Sequence, residues 1–133
     1  MPLHETPLGP LWSGDLAGHS LSISLSYGEN EGWIGLLRGG MIGIDVLSAT
    51  NFTEVEIVTR LYLGPAAWQS IHQSPHPARA FALAWTALEA RLKCLKQPLT
   101  EWPVSQNLPA AGNLAMQQYF DNHRVVTVAT GPA

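Results

Sequence analysis

Charge is scarce in this sequence: seven Lys and Arg and ten Asp and Glu among 133 residues leave a net charge of −3. No Lys/Arg cluster occurs, and a surface without one has nothing to follow a phosphate backbone or an anionic bilayer. Nucleic acid and membrane lipid are therefore not expected as partners. Cysteine is scarcer still, because Cys94 stands alone. That excludes an internal disulfide and a cysteine-based zinc site and fits a reducing compartment, so a cytoplasmic location is expected. Long apolar runs are missing too: nothing approaches the roughly 20 apolar residues of a membrane span. Met1-Pro2-Leu3-His4-Glu5 lacks the basic start and apolar stretch of an export signal, so no export is expected.

What is present is apolar. Hydrophobic residues make up 46% of the chain against 13% charged, which leaves apolar surface for a partner to cover; a homo-oligomer, dimer or trimer, is expected. The length suits one domain with one core. Residues 1–19 hold Pro2, Pro7, Gly9, Pro10, Gly14 and Gly18 with no periodicity, and predict an irregular lead-in. The ordered domain is expected to cover residues 20–133.

Within that domain Leu21, Ile23, Leu25 and Tyr27 alternate with Ser22, Ser24 and Ser26, the period of a strand with one face buried. Gly28 to Gly32 reads as a turn into Trp33–Leu37, and Arg38-Gly39-Gly40 as a turn into Met41–Val46, giving three antiparallel strands. Thr53 and Glu56 have capping-box spacing and open a short helix that Gly64-Pro65 stops; a second helix starts at Pro65. After Ser74-Pro75-His76-Pro77, the stripe Phe81, Trp85, Leu88, Leu92, Leu95 marks a long central helix over 78–96. Residues 97–113 read as loop, and 114–129 as a hairpin turning at Asp121-Asn122. The fold class is α+β, an antiparallel sheet packed against that long helix.

Chemistry has few places to reside. On the central helix Glu89 and Lys93 are one turn apart and share a face; alone, that spacing is the usual surface ion pair. Asp45 is less ordinary, because it closes an apolar strand that seldom carries a carboxylate without a cation, a partner or an edge position. His72 and His76 have helical spacing for a metal pair, but Pro75 and Pro77 break the helix that the pair would need. The tryptophans read as core or contact residues.

Gly43-Ile44-Asp45-Val46, followed further on by Phe81-x-x-x-Trp85-x-x-x-Glu89-Ala90-x-x-Lys93, resembles the paired signature of the phosphopantetheinyl transferases. Upstream, Gly9-Pro10 is similar to the family's Lys-Pro element, and Ile23-Ser24-Leu25-Ser26-Tyr27 to its Phe-Asn-Leu-Ser-His strand. The resemblance is to the second half of the larger, surfactin-type enzymes, and the holo-acyl-carrier-protein synthase type works with one such half per chain.

The resemblance implies a phosphopantetheinyl-transferase-like half-domain. It also implies Mg2+-dependent transfer of the phosphopantetheine arm of coenzyme A to a serine of an acyl or peptidyl carrier protein. Asp45 and Glu89 are then the metal ligands, Glu89 also the group that orients or deprotonates the serine, and Lys93 the cation meeting phosphate charge. Ser26 and Tyr27 fall at the coenzyme-binding positions. The sequence departs from the pattern where Tyr27 replaces the family's His, Leu88 and Gly9 its lysines, Leu47 a second acid of the larger type, and Ala66 a glutamate. Arg38, Arg79 or a neighbouring subunit are the candidate substitutes for the lost cations. A relative that keeps the fold and binds a carrier protein without catalysis is the alternative.

Overall fold

A computed structural model describes residues 3–6, 9–16, 19–28, 30–50, 54–102 and 114–132. Two antiparallel sheets and one long helix organise them. The strands β1 (Leu3–Thr6), β2 (Gly9–Leu16), β3 (His19–Tyr27) and β4 (Gly32–Arg38) form one sheet in sequence order. β5 (Gly40–Ser48) leaves that sheet and joins a second, ordered β5-β7-β6, with β6 (Ala115–Asp121) and β7 (Arg124–Pro132) as the predicted hairpin.

Two expectations change here. The Pro- and Gly-rich start is not irregular: β1 and β2 pair with each other, and β2 pairs with β3 from Leu11↔Ser24 onward. Pro10 lies just before that ladder begins, opposite Glu5 of β1, so its missing N–H costs no bond to β3. Nor do β3, β4 and β5 make a three-stranded meander, since β5 takes its ladder from β7, Gly40↔Pro132 to Ser48↔Arg124.

The serine side of β3 explains how β5 can leave. Ser24 Oγ accepts the Ile44 N–H at 3.0 Å, Ser26 Oγ accepts the Val46 N–H at 3.1 Å, and Ser22 Oγ donates to the Gly40 carbonyl at 2.6 Å. Hydroxyls thus satisfy the edge of β5 that no strand pairs. Ser24 and Ser26 are buried, whereas Tyr27 is 68% exposed. The alternation was real, but the serine side, not the apolar one, faces inward. Its opposite face meets Ile34 and Leu36 of β4, both exposed.

Ile44, Val46 and Val126 form a buried cluster with Trp33 and Val128 packed on it, which fills the space between the sheets. The other face of the second sheet carries the long helix. Before it, α1 (Val55–Val58) runs into a wide π turn over Thr59–Leu63, and α2 (Pro65–Gln73) follows Gly64. Thr53, expected to cap α1, lies outside the described residues, as does most of the expected loop after residue 97. The central helix, α3 (Pro77–Leu95), closes on Lys96 in the left-handed conformation. Among the described residues no helix is long and apolar enough to cross a membrane.

Candidate functional site

Ala82, Thr86, Ala90 and Cys94 of α3 are all buried, and Ala90 and Cys94 pack with Ala129 of β7. Small residues let the helix backbone lie directly on the sheet. The closest approach is at Gly43, where a Cβ would overlap the Ala90 carbonyl and stand 2.5 Å from the Cys94 nitrogen. Asp45, two residues on, points to the same side of β5 as Gly43. A helix seated this close brings Glu89 and Lys93, one turn apart, down onto that carboxylate.

Lys93 is the best-defined member. Its Nζ donates to the Leu25 carbonyl at 3.1 Å, the Ile44 carbonyl at 3.0 Å and Asp45 Oδ1 at 3.2 Å. An ammonium has three protons, and each has an acceptor within the protein. Ser26 Oγ, while accepting from Val46, donates to Asp45 Oδ1 at 3.3 Å. Asp45 is thereby fixed from both sides.

Burial pushes the Asp45 carboxyl above its ordinary value, against the charge and hydrogen bond of Lys93 and the hydrogen bonds from Ser26 and the Val46 amide. Glu89 is raised as well, first by burial and then by the charge of Asp45, with Lys93 pulling the other way. Nothing among the described residues hydrogen-bonds the Glu89 carboxylate. Two carboxylates that repel each other, only one of them hydrogen-bonded, are a place where a proton or a cation is favoured.

The donor set fits Mg2+. Among the described residues no cluster of three or more His, Cys, Asp or Glu is placed to hold a metal. A cation here would take Asp45 and Glu89 and complete its shell with water and substrate oxygens, the manner of a small hard cation that keeps its waters.

Beyond Asp45, the ends of β3, β5 and β7 border a cleft of about 740 Å³, whose lining includes Tyr27, Gly28, Glu31, Ser48, Thr50 and Arg124. Tyr27 borders this cleft, whose lining does not include Asp45, Glu89 or Lys93. Neither proposed substitute cation reaches this cleft from its own chain. Arg38 pairs with Leu21, at the far end of a ladder whose near end is Tyr27↔Gly32, roughly 20 Å away at strand rise. Arg79 lies over the Phe120 ring, 3.7 Å from its centroid, and starts the helix about 15 Å before Glu89.

Sequence reasoning missed Arg124, the guanidinium that does line the cleft. It opens β7 directly opposite Ser48, and only the hairpin register brings it there. Ser24 was missed as well, because a serine in an alternating strand looks solvated until its partner strand is known. A family model described as the 4'-phosphopantetheinyl transferase superfamily matches residues 41–124, well over half of the chain, a span that contains Asp45, Glu89 and Lys93. No curated protein matches the chain.

Proposed function

The chain belongs to the 4'-phosphopantetheinyl transferase superfamily, and from that premise we propose that it moves the phosphopantetheine arm of coenzyme A onto a serine of an acyl or peptidyl carrier protein, with Mg2+. The observation that carries this reading is the Asp45–Glu89 pair, two burial-raised carboxylates whose own cation, Lys93, is already committed to Asp45 and two carbonyls.

Bound Mg2+ supplies positive charge to the diphosphate oxygens as charge builds on them. Asp45 and Glu89 would hold it. A carboxylate with a raised affinity for protons is also a better base, so Glu89 takes the proton as the serine oxygen bonds to the phosphorus of the arm. The bond that breaks joins this phosphorus to the leaving adenosine 3',5'-bisphosphate. Ser26 and Lys93 keep Asp45 oriented. A Lys93 with three acceptors acts through Asp45, in place of the direct phosphate contact expected from the resemblance.

The cytoplasm remains the expected location, and a homo-oligomer the expected assembly. Exposed Ile34 and Leu36 on β4 support the latter. A second reading, a carrier-protein-binding relative without catalysis, is favoured by Tyr27 and Leu88 standing where the family places basic residues. Apo carrier proteins incubated with this protein, coenzyme A and Mg2+ decide between them by mass spectrometry. Transfer adds the phosphopantetheine mass and is lost in Asp45→Asn and in Glu89→Gln; no added mass with any carrier supports the second reading.

A further inference from the structure

Arg124 is held in an unusual way for a surface arginine. Its Nε is paired with Glu31 Oε1, and its Nη1 with Asp121 Oδ2 at 3.4 Å. Those two acids are its partners among the described residues, and a guanidinium carries five N–H donors in a fixed fork. The side chain is 27% exposed, and Arg124 lines the cleft together with Ser48 and Thr50.

Glu31 reaches Arg124 because the turn is built for it. The Gly28 N–H donates to the Glu31 carbonyl at 2.8 Å. A Cβ at Gly28 would lie 3.2 Å from Glu31 Cγ and 3.3 Å from Glu31 Oε1, crowding the carboxylate that holds the arginine. Three other cations considered for this role are placed otherwise: Lys93 makes three bonds within the protein, Arg79 lies over Phe120, and Arg38 stands at the far end of its ladder.

We propose that Arg124 is a phosphate-binding residue of this cleft, held in place by Glu31 until a phosphate group of the ligand takes over that carboxylate's position on the guanidinium. Phosphate offers more charge than a carboxylate and the same two-point match to the planar fork. Exchanging one anion for another at this partly exposed arginine keeps its charge paired throughout, and the pairing given up is weakened by solvent screening. Only the naming of coenzyme A as the ligand rests on the function proposed above; the phosphate chemistry rests on Arg124, Glu31 and the cleft.

Calorimetric titration of the full chain in the presence of Mg2+, with coenzyme A and separately with inorganic pyrophosphate, tests it. Arg124→Gln is expected to weaken both by about tenfold or more, and Arg124→Lys to recover part of the loss, since Lys keeps the charge without the fork. Glu31→Gln leaves Arg124 in place and is expected to tighten both several-fold, which loss of a merely structural ion pair would not do. Unchanged affinity in Arg124→Gln, or no tightening in Glu31→Gln, overturns the role of Arg124. Should Arg124→Gln not fold, Glu31→Gln and Arg124→Lys decide alone. Wild-type protein that binds pyrophosphate through Arg124 but not coenzyme A upholds the phosphate site and overturns the coenzyme reading. Coenzyme binding indifferent to Arg124 does the reverse, and binding of neither probe overturns both.

Discussion

Lys93 and Asp45 meet at 3.2 Å with side chains only 15% and 13% exposed, and the same ammonium holds one carbonyl from β3 and one from β5. The pair is therefore a joint between the helix and both sheets as well as part of the site. Removing one member of a buried pair leaves the other charge uncompensated, at a cost of about 3–5 kcal/mol. Lys93→Met is expected to lose about 3 kcal/mol of stability in urea unfolding, and Lys93→Met with Asp45→Asn to lose less than Lys93→Met alone. A single-variant loss under about 1 kcal/mol would show that the joint is not structural.

The bridge from β3 to β5 is tested at Ser24. Ser24→Ala leaves the buried Ile44 N–H without its acceptor, which costs about 1–3 kcal/mol. The same variant should speed hydrogen exchange at the Ile44 amide while leaving amides of the β6–β7 hairpin unchanged. Ser22, half-buried and donating to Gly40, should cost less when changed to Ala. Equal losses at the two serines would contradict the burial order.

Stability should fall with rising pH across the range where these carboxyls titrate. Asp45 and Glu89 bind protons more tightly in the folded chain than their ordinary values imply. Their favourable share is complete at low pH, below the unfolded values, and is lost as pH climbs from about pH 4 through the raised folded values. Melting temperature followed against pH should show this fall, and Glu89→Gln should flatten part of it. Added Mg2+ should raise the melting temperature above that range, where both carboxylates are charged, and have little effect below it. A melting temperature insensitive to Mg2+ at neutral pH would remove the metal reading.

The sequence by itself determined the order of elements, since turn residues and apolar periods are local properties. The hairpin at 115–132, the long helix over Pro77–Leu95 and the strand ending near Asp45 fall where these signals put them. Helical spacing also sufficed to put Glu89 and Lys93 on one side, and the Gly43–Val46 and Phe81–Lys93 motifs carried the family. Tertiary structure decided the rest. A period of two separates the faces of β3 without saying which is buried, and the edge of β5 drew the serines inward because its amides had no strand to pair with. The Pro- and Gly-rich start became strands only because β3 offered a ladder. Lys93 also became a joint, because two carbonyls distant in sequence converge on its ammonium. Arg124 reached the cleft through the register of β7 against β5, a pairing between residues that are remote along the chain and adjacent only once the sheet has formed.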